Sequence, residues 1–153
     1  MIVREILFKG KTEDGEWVEG SLFVYNKDNY LIITKEDADW SYVSSGVYDG
    51  SITEVQKDTI CQFTGLTDKN GNKIWENDVV HLFGKDTLGN YDWKAVVEFG
   101  NPNGLYSWGY QLKPIGYFAY NTDILCWVGM EEANIYCEVI SNIFDNPELL
   151  KGE

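Results

Sequence analysis

The sequence predicts a mainly β protein of antiparallel strands joined by tight turns. Of its 153 residues, 15% are aromatic, and aromatic side chains favour the pleated, half-buried surface of a sheet. Fifteen glycines against three prolines indicate many tight turns. No apolar pattern with helical spacing persists for about 12 residues, which is the length that an amphipathic helix normally needs.

The N-terminal region, residues 1–57, is predicted to be a β-hairpin followed by a meander. Asp14-Gly15 separates the first two strands and is a dipeptide typical of hairpin turns. Residues 35–50 break the strand alternation and are expected to form a long loop or an insertion with a short helical turn. The strands of this region are expected at residues 2–9, 17–25, 30–34 and 51–55.

The second predicted strand has apolar residues on both of its faces. Trp17, Phe23 and Tyr25 alternate with Leu22 and Val24 along it. Because successive side chains of a strand point to opposite faces of the sheet, we expect both faces to be covered.

The stretch from residue 60 to residue 83 is expected to organise the rest of the chain as a strand, turn, strand, corner and strand. Asn70-Gly71 would supply the positive φ angles of a tight hairpin. Asp68 can accept backbone N–H groups inside that turn. The corner at residues 76–78 is followed by an apolar strand, which is a way in which small barrels such as SH3-like domains bend their chain.

The region 58–153 is therefore predicted to hold an SH3-like β-barrel, with one continuous domain over residues 1–153 as the alternative. Pro147 is expected to open a last helical turn after an Asp145-Asn146 cap, because its missing N–H is not needed there. A loop is predicted at 84–90 and extended chain at 114–122. The later strands are expected at residues 93–99, 105–112, 124–128 and 135–140.

The charge of the chain disfavours nucleic-acid binding. The net charge is −13, from 25 acidic and 12 basic residues. A phosphate-binding surface draws its affinity from lysine and arginine, and only two short, interrupted basic clusters occur here. The acidity favours solubility and, among partners, basic ones.

Cysteine usage and the N-terminus predict a cytoplasmic protein. Cys61, Cys126 and Cys137 each lie in an apolar, strand-like run without a CxxC pair, so we expect buried, reduced thiols. Residues 1–11 carry charges inside their apolar run, unlike a secretory signal peptide. No apolar run reaches the roughly 18 residues of a transmembrane helix.

No catalytic, cofactor-binding or metal-ligating residue is predicted, and the protein is expected not to be an enzyme. His81 is the only histidine, so a Ser-His-Asp or Cys-His site would have to use it. A lone histidine in a strand is more often structural. Residues 84–89 lack the Gly-Lys-Ser/Thr step of a phosphate loop.

Each of three further groups of residues has a structural interpretation as well as a functional one. Residues 68–72 resemble a calcium loop, but the glycine is misplaced and helices are missing, so turn chemistry is preferred. Asp68, Glu76 and Asp78 could hold a divalent cation for hydrolysis, or they could cap turns. An aromatic run could stack bases, pack in the core or form a protein interface; we prefer the last two because only Lys113 is basic there. This run comprises Tyr106, Trp108, Tyr110, Tyr117, Phe118 and Tyr120.

Several motifs occur in order along the chain: QFTGLTDKNG at 62–71, IWENDVV at 74–80 and EVISNIFDNPELL at 138–150, with shorter ones at 4–8 and 15–20. In these motifs the chain resembles the YopX family of phage- and prophage-encoded proteins. Phe63 and Trp75 replace tyrosines of the family pattern, and Asn77 and Ser141 replace glycines. Asparagine tolerates the left-handed conformation, so position 77 is expected to keep its geometry.

The resemblance implies a mainly β fold that ends in an SH3-like barrel, and a phage origin, without an activity or catalytic residues to carry over. We expect an accessory protein without enzymatic activity that self-associates or binds a host protein in the cytoplasm of an infected or lysogenic bacterium. The alternatives are an acidic nucleic-acid mimic that inhibits a host DNA-binding protein, and a barrel that binds nucleic acid.

Overall fold

The computed structural model describes residues 5–34, 50–101, 108–116 and 120–152. These residues confirm a mainly β protein with antiparallel strands, and their helices are short 3-10 turns. The strands are β1 (Phe8–Lys11), β2 (Trp17–Tyr25), β3 (Asn29–Ile33), β4 (Ile52–Val55), β5 (Cys61–Thr67), β6 (Lys73–Trp75), β7 (Asp78–Lys85), β8 (Asn90–Gly100), β9 (Gly109–Pro114), β10 (Thr122–Asp123) and β11 (Ile135–Asn142). The 3-10 helices are Lys57–Thr59, Ile124–Cys126, Glu131–Ala133 and Pro147–Lys151.

The strands form two antiparallel sheets, with hydrogen-bonded orders β4-β3-β2-β1-β5-β6 and β10-β9-β8-β7-β11. The chain divides into two compact units, Met1–Phe63 and Thr64–Glu153, so that the division falls inside β5. A domain boundary after residue 57 stays a prediction. None of the described helices is long and apolar enough to cross a membrane.

Within the first unit, the long strand β2 changes partner at Gly20. Residues up to Gly20 pair with β1, and residues from Ser21 onward pair with β3. A Cβ atom at Gly20 would lie 2.0 Å from the backbone oxygen of Ile33. Only glycine lets two backbones approach this closely, so Gly20 is the point at which the strand can pass from one partner to the other.

The outer strands β1 and β4 of the first unit come together in space. The backbone N–H of Gln56 donates to the oxygen of Lys11 at 2.8 Å. A Cβ atom at Gly10 would lie 2.9 Å from side-chain atoms of Val55. The four strands therefore curl towards one another around a small core of Leu31 and Ile52.

The expectation that both faces of β2 are covered is wrong. No residue of β2 is buried, and Phe23 and Val24, on opposite faces, are 42% and 45% exposed. β1 and β3 hydrogen-bond along the edges of β2 and do not cover its faces.

The main hydrophobic cluster of the second unit lies on one face of the five-stranded sheet. It is formed by alternate residues of the strands, closed by β6 and the 3-10 helix Ile124–Cys126. β10 and β11 are the two edges of this sheet, so the described strands are not closed and the SH3-like barrel is not confirmed. The buried residues are Ile74, Val80, Leu82, Ala95, Val97, Leu112, Ile124 and Cys137.

Two turns of the molecule share one geometry. Gly71 N–H donates to Asp68 O at 3.0 Å and Asp68 N–H donates to Asn72 O at 2.8 Å. Gly15 N–H to Thr12 O, and Thr12 N–H to Glu16 O, repeat these bonds at 3.0 and 2.9 Å. Gly71 and Gly15 have positive φ, whereas Asn70 does not. The loop is thus a type I turn closed by a left-handed glycine, and the expected positive φ at Asn70 is wrong.

Residues 124–128, predicted as a strand, instead form the 3-10 helix Ile124–Cys126 and a turn. The Asp123 carboxylate accepts the N–H of Leu125 at 2.8 Å, and Ile124 O accepts the N–H groups of Trp127 and Val128. Asp123 therefore acts as a helix cap, and this local bond outweighs the β preference of the apolar residues that follow.

The ends of several predicted elements shift. β1 begins at Phe8 rather than near residue 2. Residues 1–4, the start of the predicted strand, and residues 35–49, most of the predicted loop or insertion, lie outside the described residues. The predicted loop at 84–90 shrinks to a turn in which Asp86 N–H donates to Gly89 O at 3.0 Å. Residues 102–107 and 117–119 lie outside the described residues, so the strand predicted at 105–112 and the extended chain predicted at 114–122 are tested only in part. The other predicted strands agree with the observed ones to within a few residues.

The last helical turn is present, but its predicted cap is not. Pro147 is the first residue of Pro147–Lys151, as expected. Asn146 occupies the cap position without a side-chain cap bond. Its side chain donates to Glu148 at 2.7 Å and accepts the hydroxyl of Ser141.

Replacing Gly20 by alanine is expected to destabilise the first unit by about 2–4 kcal/mol, because the new methyl group would clash with the backbone of β3. Denaturant unfolding measures the change. Gly109→Ala is the matched control, since a Cβ atom at Gly109 meets nothing within 4 Å. Equal stability of the two variants would contradict the pivot role of Gly20.

Candidate functional site

The Asp68 carboxylate joins the β5–β6 turn to the edge strand β11. Oδ1 accepts the N–H groups of Asn70 and Asn72 at 2.8 and 2.9 Å, as the sequence predicts. Oδ2 accepts the N–H of Val139 at 3.0 Å. Beside it, the N–H of Lys69 donates to Cys137 O at 3.0 Å. The turn thus satisfies backbone groups on the free edge of β11, which would otherwise be open to pairing with another chain.

Asp68 is 5% exposed, and burial by itself opposes ionisation. The hydrogen bonds from the N–H groups of Val139, Asn72 and Asn70 outweigh burial and hold the pKa of Asp68 below its ordinary value of 3.8. The side chain is therefore an anion committed to backbone donors, not an open ligand.

The corner at 76–78 is likewise built for backbone geometry. Asp78 is buried and accepts the N–H of Trp75 at 2.8 Å. Asn77 has φ 66°, so the left-handed conformation expected for this position is confirmed. Asn77 N–H and O bond Val97 and Ile143 across the unit.

Asp68 and Asp78 therefore serve separate turns and do not form a joint patch with the half-buried Glu76. Within the described residues, no group of three or more His, Cys, Asp or Glu side chains is placed to hold a metal ion.

The outward face of the five-stranded sheet carries a compact array of polar and aromatic side chains, which we call the His81 face. Its members come from neighbouring positions of β8, β7 and β11. Lys94, His81 and Glu138 lie level across the three strands, and the next level holds Asp92, Phe83 and Tyr136.

Direct contacts tie the His81 face together. His81 Nε2 lies 2.8 Å from Asp92 Oδ1. The rings of His81 and Phe83 are 4.8 Å apart, and Phe83 stacks on Tyr136 at 5.6 Å. Lys69 Nζ lies 5.1 Å from the centre of the Phe83 ring, a cation–π distance. These side chains thus hold one another in place.

The imidazole–carboxylate pair is accessible, with side-chain exposures of 29% for His81 and 86% for Asp92. A nucleophilic site would also need an activated hydroxyl or thiol next to the ring. Cys137 belongs to the adjacent strand, but it lies in the core on the opposite face of the sheet. Burial raises the pKa of the Cys137 thiol to about 12, so a thiolate does not form there near neutral pH.

A groove adjoins the His81 face beside β8. Its volume is about 530 Å³, and Asp92, Lys94, Ile115 and Glu148 line it. A hydrogen bond from the side chain of Asn146 lowers the pKa of the Glu148 carboxyl. The groove mixes one cation with two anions, which suits a polar partner segment better than an apolar ligand.

The aromatic run is only partly described, because Tyr106, Tyr117 and Phe118 lie outside the described residues. Trp108 and Tyr120 are 78% and 77% exposed, so they do not pack in the described core. Of the described members, Tyr110 alone packs against the core.

Sequence reasoning singled out His81 and Asp68 but missed the array around them. Phe83, Asp92 and Tyr136 become neighbours only through strand register, since residues far apart in the chain meet on one face. The alternation of Asp92 and Lys94 with less polar neighbours in β8 is the signal that could have indicated an outward face.

We expect one of the three thiols to react with a thiol reagent in the native protein. Cys61 and Cys137 are buried, whereas Cys126 is exposed, which corrects the expectation of three buried thiols. The apolar run around Cys126 forms a 3-10 turn at the surface rather than a strand. Counting labelled thiols before and after adding denaturant tests this. Rapid labelling of all three in the native state would contradict the structure.

Asp68→Asn is expected to lower the free energy of unfolding by about 2–4 kcal/mol at neutral pH, because an amide donor replaces one acceptor oxygen beside backbone N–H groups. Since folding lowers the pKa of Asp68, its contribution is present above about pH 4 and is lost as pH falls through the folded-state pKa. Wild type should therefore lose more stability on acidification than the variant. Asp58→Asn, an exposed position, is the control; parallel pH profiles for wild type and Asp68→Asn would refute the role of Asp68.

Comparison of the sequence with known protein families gives a match that covers the motifs described above. The YopX protein family matches residues 8–151, nearly the whole chain. No curated protein matches the sequence. The matched segment includes the Asp68 turn, the Asn77 corner and β11, whose polar residues hold the backbone. The chain therefore belongs to the YopX family.

Proposed function

We propose that this protein is a phage or prophage accessory protein that acts by binding, through self-association or a host protein, and not by catalysis. The observation that supports the proposal best is the His81 face, in which stacked aromatic rings lie among unlike charges. Aromatic side chains are enriched at protein interfaces, and flanking charges set the register of partners.

The charges of the His81 face favour self-association. At one level of the sheet, Lys94 lies on one side of His81 and Glu138 lies on the other. If two copies pack face to face about a two-fold axis along β7, each Lys94 meets Glu138 of the second copy. Such a symmetric interface satisfies both pairs at once, with Phe83 near its centre.

Charge exchange tests this arrangement. Lys94→Glu or Glu138→Lys alone should weaken the dimer about tenfold or more, because each places like charges opposite one another twice. The double variant, K94E with E138K, should restore it. Light scattering coupled to size-exclusion chromatography measures the mass. A strictly monomeric wild type would rule out self-association, and a double variant no better than the single ones would rule out this geometry.

Host-protein binding through the same face has its own test. Phe83→Ser should abolish capture of a partner from host lysate, because it removes the ring on which His81 and Tyr136 stack. Leu88→Ser, at a position that is 87% exposed, should leave capture unchanged. Capture that survives Phe83→Ser would place the partner elsewhere, and no capture by wild type would contradict host binding.

The acidic nucleic-acid mimic is the second candidate, supported by one groove of the first unit. The groove is about 790 Å³ in volume, and Lys57 is the cation among its lining residues. Against a mimic, the acidic residues divide almost evenly, with 12 in residues 1–63 and 13 in residues 64–153. A competition assay against a host DNA-binding protein tests it. The acidic lining residues are Glu13, Asp14, Glu16, Asp28 and Glu54.

We propose further that the second unit is an open relative of a small SH3-like barrel. Its core is enclosed by the β5–β6 hairpin and the five-stranded sheet, as partly open barrels enclose theirs. Nucleic-acid binding by such a barrel is the weakest candidate, because Lys69 and Lys94 on its face stand beside Asp92 and Glu138. A gel shift at low salt tests that candidate.

A further inference from the structure

Asn70-Gly71 combines a reactive dipeptide with an exposed position at the tip of the β5–β6 turn. A side-chain amide followed by glycine is the arrangement most open to attack by the next backbone nitrogen, since glycine has no Cβ to hinder the approach. We propose that Asn70 is a spontaneous deamidation site, that the contacts of the turn with β11 control its rate, and that the product releases the turn.

The reaction needs no cofactor or oxidant. The backbone nitrogen of Gly71 gives up its proton and bonds to Cγ of Asn70, and the Cγ–Nδ2 bond breaks. Nδ2 leaves as ammonia and a five-membered succinimide remains. Water then opens either carbonyl of the ring, which yields aspartate or isoaspartate at this position.

The folded turn engages both reacting groups. Gly71 N–H, the nucleophile, donates to Asp68 O at 3.0 Å. The Asn70 amide, which carries the leaving group, donates from Nδ2 to Glu138 Oε1 at 3.3 Å. Asp68 is anchored in turn to the N–H of Val139 on β11. Attack therefore requires that the turn first detach from β11, so the fold slows the reaction through a local opening step.

Aspartate or isoaspartate at position 70 disrupts the contacts that held the asparagine turn against β11. A carboxylate in place of the amide faces the Glu138 carboxylate, where the amide donated a hydrogen bond. It also stands beside the ionised Asp68, whose Oδ1 holds the backbone N–H of the same residue. Isoaspartate adds one atom to the backbone of the turn, and the longer backbone no longer matches the spacing of the two hydrogen bonds that close it. Each outcome favours the open turn and exposes the edge of β11.

The first test is peptide mapping of the full-length protein during incubation in mildly alkaline buffer, with deamidation read from the change of amide to acid. Asp68→Asn should accelerate the reaction at Asn70 about tenfold or more, because it weakens the anchor that keeps the turn closed. Glu138→Ala, which removes the acceptor of the Asn70 amide and leaves Asp68 intact, should accelerate it about two- to threefold and keeps the test valid if Asp68→Asn folds poorly.

The turn at Thr12–Glu16, which has the same backbone geometry, supplies a matched control. Asp14-Gly15 has the same pair of backbone hydrogen bonds, and Asp14 makes no side-chain hydrogen bond within the described residues. The amide introduced by D14N should therefore deamidate faster than Asn70 in the same molecule. Urea should raise the rate at Asn70 to that of an unstructured peptide. Equal rates at Asn70 in folded and urea-unfolded protein, or no effect of either β11-contact variant, would overturn the proposed control by the fold.

The consequence of the reaction is tested separately with Asn70→Asp. This change should lower the melting temperature, and the loss should be smaller when Glu138→Gln is also present, since the second carboxylate is then gone. A loss that is the same in both backgrounds would show that repulsion at Glu138 does not act. Hydrogen exchange at the Val139 amide should increase in Asn70→Asp, and unchanged exchange would overturn the release of the turn.

Discussion

The second unit depends on one carboxylate that satisfies backbone donors from two distant parts of the chain. Asp68 closes its own turn through Asn70 and Asn72, and it accepts the N–H of Val139 on the last strand. A buried anion is stable only where donors surround it, so Asp68 can be both buried and ionised only while turn and strand remain together. Local turn chemistry and long-range assembly are therefore coupled in a single side chain.

Two turns with the same backbone geometry differ in the long-range contacts that their first residue makes. The turn at Thr12–Glu16 has the same backbone bonds as the turn at Asp68–Asn72. A threonine at the first position offers a hydroxyl, which accepts the N–H of Glu16 at 3.1 Å. A carboxylate has a second oxygen, and only it can also reach across to β11. The first-unit turn is tied to a distant segment through its backbone, since Gln56 Nε2 donates to Thr12 O at 2.8 Å, whereas in the second unit the Asp68 side chain itself makes the long-range bond.

The polar motif residues that mark the family are largely occupied with backbone geometry. Asp68, Asn77 and Asp78 hold a turn and a corner, and Gly20 allows two backbones to approach. Residues of this kind are needed for the fold whatever surface the protein presents. Function is therefore better sought on the His81 face, where side chains point outward and contact one another without supporting the backbone.

Local sequence patterns were enough to predict the β class, the positions of most strands, the turn at Asn70-Gly71 and the left-handed corner at Asn77. These features depend on residues close in the chain, through alternation and the special conformations of glycine and asparagine. The same patterns misplaced residues 124–128 because a short cap bond from Asp123 outweighed β preference.

Three features depend on long-range packing and could not be predicted locally: the contact of Asp68 with Val139, the open sheet of the second unit, and the exposure of Cys126. Long-range packing also decided that His81, Phe83 and Tyr136 share a face, because strand register brings together side chains from distant segments. Register is set by which strands pair, and the pairing depends on burial of the whole core, which no local pattern encodes.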